Sequence, residues 1–252
     1  KINKMYAAAL LLTLCCASCN DDEALSYSQK TMTNSELKAI LIQKGYQFSE
    51  DGKLLLDDLA NRTTTLDLTA TKLTDLSELS ILPNLKEVDL SDNGYGPAFD
   101  FAKLPDQITG VDLTGNEIYE YPGLVRIETQ ENGDETVTVL HKLTKLYLPE
   151  EAKYNCVELP AFFSHEEGVD MKMENAKGNV EAYHTLREVP DATARKMLQK
   201  LYPSLFNEDK IDISRRMVDP SQKNKEMNIS PFSVPKGESV KSVEGVEYVI
   251  MN

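Results

Sequence analysis

Three carboxylates recur at one place in a short pattern. Asp67, Asp89 and Asp112 are the centres of the triplets Leu66-Asp67-Leu68, Val88-Asp89-Leu90 and Val111-Asp112-Leu113, and Tyr147 takes the same place in Leu146-Tyr147-Leu148. If each triplet is a strand and the strands are neighbours, side-chain alternation turns the apolar residues inward and sends the central ones to one shared face. Carboxylates on strands about 4.8 Å apart repel one another. Such a column stands either because water solvates it or because a cationic partner lies on it, and a basic peptide or loop would fit. Lys86, Glu87, Thr144 and Lys145 flank the column, so the face is mixed rather than purely acidic. The candidate binding residues are therefore Asp67, Asp89, Asp112, Tyr147, Lys145 and Glu87.

Catalytic constellations are scarce. His165-Glu166-Glu167-Gly168-Val169 opens like the helical zinc-protease motif, but Val169 stands where the second histidine is required and Gly168 opposes a helix. His141 and His184 have no nucleophile or carboxylate at a motif spacing, and there is no phosphate-cradling glycine loop, nucleophile elbow or calcium loop. No enzyme activity, metal site or cofactor is expected. Sugar binding is disfavoured as well: sugar rings stack on aromatic platforms, the chain has no Trp, and only Tyr147 lies on the expected face.

Composition narrows the partner. With 41% hydrophobic and 27% charged residues the 252-residue chain can bury a core. Its formal net charge of -14 opposes nucleic acid, because phosphate binding needs clustered Lys and Arg. Cys15, Cys16 and Cys19 crowd one end and Cys156 stands apart, so neither a disulfide framework nor a zinc spacing follows.

The elements that hold the face are read from periodicity. Thr33 and Glu36 form a capping box, Leu37, Ile40, Leu41 and Lys44 follow at helical spacing, and Gly45 is a stop, which predicts a helix over 34–44. Asp51-Gly52 turns into the apolar run 54–56. Beyond Thr63 the last apolar positions of the triplets, Leu68, Leu90, Leu113 and Leu148, are spaced 22, 23 and 35 residues apart. Written out, the units are LKEVDLSDNGY from Leu85 and ITGVDLTGNEIY from Ile108, with Asn93 or Asn116 at the ninth position. This pattern resembles the leucine-rich-repeat family. The resemblance implies an α/β fold: a short leucine-rich-repeat solenoid with an N-terminal helical cap, a β-hairpin insertion and a second helical module at the C-terminal end. It also implies a binding role. Asn93 and Asn116 are expected to turn inward and satisfy backbone groups that the bend leaves unpaired, with Thr71 and Glu151 in their place in the outer units. The insertion over 119–142 reads as a hairpin, with strands at 125–129 and 136–140 around Glu131-Asn132-Gly133-Asp134, projecting from the solenoid. It serves either as a binding surface or as a tolerated decoration.

Further on, 157–160 and 169–173 together suggest one more repeat. A new helix follows Pro190, capped by Asp191 and apolar at Ala194, Met197, Leu198 and Leu201. QKLYPSLFNEDKIDIS from Gln199 aligns with QKGYQFSEDGKLLLD from Gln43, so the head module occurs twice. The final SVKSVEGVEYVIMN from Ser239 reads either as the entry to a further array, the chain then being a fragment of a longer repeat protein, or as a short closing strand.

The first residues read as a targeting segment: basic Lys1 and Lys4, then an apolar run 5–14 too short to span a bilayer. Ala17-Ser18-Cys19 is similar to a bacterial lipobox, in which the residue matching Cys19 carries the lipid, and Asn20-Asp21-Asp22-Glu23 resembles the acidic tag that sends lipoproteins of some Gram-negative anaerobes to the cell surface. The expected organisation is a lipoprotein signal peptide over 1–18, a tether over 19–32, a cap over 33–61, repeats over 62–176 and a second head over 187–252. The implied role is a lipoprotein of the outer membrane, exposed at the cell surface, that binds a protein or peptide ligand of basic character without catalysis. The alternative is a structural or accessory subunit of an outer-membrane uptake complex for glycans or nutrients. Nucleic acid is not an expected partner, and the membrane is reached through the lipid anchor only.

Overall fold

A computed structural model describes residues 25–131, 134–215, 234 and 236–250. The leader and Cys19, the Asn132-Gly133 tip and the stretch 216–233 lie outside these residues.

The chain begins with β1 (Tyr27–Thr31), α1 (Ser35–Gln43) and β2 (Lys53–Leu55), β1 and β2 pairing antiparallel. Leu37 and Leu41, one helical turn apart, are the buried face of α1. The helix is capped by Asn34, not by Thr33: Asn34 Oδ1 accepts from Leu37 N at 3.0 Å while Nδ2 donates to Asp75 O at 3.0 Å. A carboxamide can cap and donate at once, and the Thr33 hydroxyl is engaged by Glu78. Gly45, at φ 97°, turns the chain out of the helix, and Tyr46 N reaches back to Leu41 O at 3.0 Å.

After the short helix α2 (Asp58–Arg62) come β3 (Thr65–Asp67), β4 (Glu87–Asp89) and β5 (Gly110–Asp112), then the hairpin β6 (Val125–Thr129) and β7 (Glu135–Val139), then β8 (Lys145–Leu148). The helix α3 (Glu158–His165) precedes β9 (Asp170–Glu174) and β10 (Val180–Ala182). One six-stranded sheet of order β10-β9-β8-β5-β4-β3 results, parallel from β3 to β9 and closed by antiparallel β10. Leu66, Val88, Val111, Leu146 and Met171 point to its buried side. Asn93 and Asn116 are buried at the strand ends: Asn93 Nδ2 donates to Leu68 O and Asn116 Nδ2 to Leu113 O, and Asn116 Oδ1 accepts from the backbone of Asn93 and Tyr95.

The expected solenoid is corrected by this arrangement. The described chain is a mixed α/β molecule with four small sheets, of two, six, three and two strands, and five α-helices. A solenoid needs each unit to rest on an equivalent neighbour. Here the links between successive parallel strands are not equivalent: the first two carry 3-10 turns at Ser77–Ile81 and Phe101–Lys103, the third carries a hairpin, and the fourth a 3-10 turn at Glu150–Tyr154 followed by α3. The hairpin does not project freely either. Its Ile127, Val137 and Val139 are partly buried against the main core, the side from which α3 contributes Leu159 and Phe162.

The C-terminal part holds β11 (Leu186–Arg187), α4 (Ala192–Leu201), β12 (Phe206–Asn207), β13 (Lys210–Asp212) and α5 (Glu247–Ile250). The three strands form one antiparallel sheet, β11-β13-β12. A second apolar core, with Val189, Ala194, Leu198, Tyr202, Leu205, Ile211 and Tyr248, serves this region. The last described segment is a helix, so the closing-strand alternative is also corrected.

Candidate binding face

The parallel register brings the predicted residues into line. Asp67, Asp89, Asp112 and Tyr147 are paired across β3, β4, β5 and β8, and Lys172 of β9 continues the row. A second row on the same face runs Thr65, Glu87, Gly110, Lys145, Asp170. Asp67 is exposed, and Asp89, Asp112, Tyr147 and Lys172 are half-buried.

Each aspartate has one oxygen committed to its own chain. Asp67 Oδ1 accepts from Thr69 N at 2.9 Å. Asp89 Oδ1 accepts from Ser91 N at 3.0 Å and Ser91 Oγ at 2.6 Å, and Asp112 Oδ1 from Thr114 N at 3.1 Å and Thr114 Oγ1 at 2.7 Å. These are Asx turns that end the strands, and the sequence signal for them is Asp followed two residues later by Ser or Thr. Sequence reasoning saw the carboxylates and missed that spacing. The Thr69 backbone N–H holds Asp67 below the usual carboxylate pKa. Among the described residues nothing hydrogen-bonds or ion-pairs with the second oxygen of Asp67, Asp89 or Asp112, so three acceptors stand in a line across three strands.

The far end of the row is a cluster of paired charges, with Lys172 Nζ 3.3 Å from the Asp170 carboxylate. Tyr147 Oη donates to Asp170 Oδ2 at 2.6 Å and accepts from Lys172 Nζ at 2.7 Å. Lys145 Nζ and Lys172 Nζ each lie 4.6 Å from the centre of the Tyr147 ring, within cation–π range. The Tyr147 hydroxyl, with Lys172 behind it, holds Asp170 below its ordinary pKa, and the same hydroxyl, with Asp170, raises Lys172. Lys172 and Asp170 were not singled out from the sequence, although the alternation Val169-Asp170-Met171-Lys172-Met173 places both opposite the buried Met171.

Glu87 reaches Lys145 at 3.5 Å across the intervening strand β5. Gly110 permits this: a Cβ there would stand 2.5 Å from Glu87 Cγ. The histidines of the sequence stay apart. His141 is buried with Nε2 at 2.8 Å from Ile108 O, His165 Nδ1 lies 2.8 Å from Ala161 O, and burial lowers the pKa of His184. Cys156 is buried, with its thiol 3.6 Å from Tyr154 O. Cys19 lies outside the described residues.

What the face offers is three carboxylates in register, then a tyrosine ring flanked by two ammonium groups that are themselves paired with Glu87 and Asp170. No protein-family model, curated protein or solved structure matches the chain.

Proposed function

We propose that the chain is a non-catalytic binding protein that takes a basic segment of a protein or peptide on the open face of its six-stranded sheet. One observation carries the reading: Asp67, Asp89 and Asp112 stand in register, each with its second carboxylate oxygen open. A cation laid on the column relieves the repulsion between neighbouring carboxylates and gains charge-assisted hydrogen bonds.

Replacing all three residues by Asn tests this, because Asn keeps the Asx turns and removes only the charge. Binding of a lysine-rich peptide is expected to weaken about tenfold in the triple variant, the equivalent of about 1.4 kcal/mol. It is expected to change little in a control of equal charge, with exposed Glu167, Asp209 and Glu208 neutralised instead. Equal losses in both variants would mean that only net charge attracts the peptide. The spacer role in an uptake complex predicts no change in either variant.

The reading places the protein at the cell surface, tethered through a lipid on Cys19, and it rests there on the Ala17-Ser18-Cys19 motif and the acidic residues after it. Mass spectrometry of the mature amino terminus is the check, an acylated Cys19 being the expected result and an unmodified terminus elsewhere the contrary one.

A further inference from the structure

The first head carries a group of apolar side chains around Leu25, its first described residue. Leu25 is 68% exposed, Ile42 52%, Leu59 43% and Tyr27 37%. They are neighbours. Alternation along β1 sends Leu25 and Tyr27 outward while Ser28 turns in, and Tyr27 pairs with half-buried Leu55 of β2. Leu25, Leu55, Leu56 and Asp58 line one groove, and Asp58 and Leu59 a second beside it. Leu59 also lies against the Gly45 turn, where a Cβ would stand 3.7 Å from its Cδ2, and Gly45 N donates to Ile42 O at 3.0 Å. Single exposed hydrophobics are ordinary on a protein surface, whereas a contiguous group marks a contact.

The charges beside the group are matched. Asp57 Oδ1 accepts from Ala60 N at 2.9 Å as the cap of α2, and Asp58 pairs with Arg62 at 3.4 Å. Asp57 and Asp58 thus stand against Arg62 and Lys44, in a chain that is acidic as a whole. What covers the group is set by reach. Six peptide units separate Cys19 from Leu25, and at about 3.6 Å each they span no more than about 22 Å. A lipid on Cys19 therefore keeps Leu25 within that distance of the bilayer surface in every orientation of the rest.

We propose that the first head lies on the lipid surface, with Leu25, Tyr27, Ile42 and Leu59 at the level of the headgroups and upper acyl carbons of a zwitterionic bilayer. A tyrosine suits that level, its ring apolar and its hydroxyl wet. This rests on the reading of Cys19 as the lipid attachment site and adds to it an orientation, in which the chain is held by its first head as well as by its tether.

The chain contains no Trp, so a single introduced indole is a unique reporter. Leu25→Trp, Ile42→Trp and Leu59→Trp, with the exposed Leu140→Trp and Val243→Trp as controls, are made in the full chain with its leader and placed on phosphatidylcholine vesicles brominated at the upper acyl carbons. Mass spectrometry and flotation read the anchor. Quenching reads the contact, because an apolar face settles about 5–10 Å into the interface. At 25, 42 and 59 the emission is expected to fall about twofold and to shift to the blue, and at 140 and 243 to stay unchanged. Leu25→Ser combined with Leu59→Ser is expected to abolish the quenching at 42 and to leave acylation and flotation intact. If the acylated chain floats but the indoles at 25, 42 and 59 are quenched no more than those at 140 and 243, the contact is overturned and the anchor stands. A blue shift at 25, 42 and 59 that rises with protein concentration in the absence of vesicles would give the face to a second copy of the chain and overturn the lipid contact. An unmodified Cys19 removes the tether, and both readings fall together.

Discussion

The two head modules share a plan and differ in what they are attached to. In the first, β1 pairs with β2, Phe48 bridges to Leu54, and Leu56 N donates to Ser26 O at 2.8 Å. In the second, β11 pairs with β13, Phe206 faces Ile211, and Ile213 N donates to Thr185 O at 3.0 Å. Yet the helix of the first ends on Gly45 in the left-handed region, whereas α4 runs to Leu201 and is halted by Pro203. The plan thus depends on the buried positions and the helix cap, and tolerates two different terminators.

Attachment separates them further. The first head shares one core with the ladder, since Leu37 and Leu41 belong to the same cluster as Leu66 and Leu90. The second is served by a separate core, into which Cys156 and Tyr154 reach from the link between β8 and α3, and buried Arg187 adds a further tie by donating from Nε to Lys153 O at 2.9 Å. A shared core couples unfolding of its members, whereas a separate core allows one region to open alone.

The largest expected effect follows from that contrast. Leu41→Ala and Leu198→Ala each remove a fully buried leucine side chain and should each cost about 2–5 kcal/mol. Leu41→Ala is expected to lower the urea midpoint of the ladder along with the first head. Leu198→Ala should open the second head at lower urea and leave the ladder where it was. Residue-resolved hydrogen exchange at Leu146 and Leu205 reports the two regions separately. Equal shifts at both sites in both variants would show a single cooperative unit and remove the distinction.

The ladder was legible because its information is local and repeated. An apolar residue on each side of Asp67, Asp89 and Asp112 fixes which way the strand faces, and the inward Asn93 and Asn116 fix where the chain bends. The overall fold was misread because periodicity reports each strand and not what links them. Val157-Glu158-Leu159-Pro160 has the apolar spacing of a strand, but Pro at the first turn and the pair Leu159 and Phe162 suit a helix, and α3 forms there. The charge cluster at the far end of the face depended on a long-range pairing: Tyr147 meets Lys172 only because β9 joins β8 after that helix. The likeness of the Gln43 and Gln199 stretches was visible in the sequence, while the burial of Arg187 was not.

The smaller effect concerns the helix caps, where the two heads use different residues for one task. Asn34 caps α1 and donates from Nδ2 to Asp75 O, whereas Asp191 caps α4 through Oδ1 and accepts from Lys241 N on Oδ2 at 2.8 Å. Asn and Asp are equally good caps in isolation, and a carboxylate even favours a helix N-terminus. Here exchange should still destabilise both heads at pH 7, by about 1 kcal/mol for Asn34→Asp, because each swap sets like against like in the second contact. Asn34→Asp turns a carboxylate oxygen toward a carbonyl and toward Glu78, and Asp191→Asn turns an N–H toward the Lys241 N–H. The two deficits respond to acid for opposite reasons. The N–H groups of Ala194 and Lys241 hold Asp191 below its ordinary pKa, so its contribution is complete above about 3.9 and is lost as pH falls through the lower native value. The gap between the wild-type chain and Asp191→Asn should therefore close because the wild-type chain weakens. For Asn34→Asp the gap should close because the variant recovers, its protonated carboxyl now donating to Asp75 O. Urea midpoints of the three chains at pH 7 and near pH 3 distinguish these courses, and a gap for Asp191→Asn that persists undiminished in acid would show that the charge on Asp191 is not what binds Lys241.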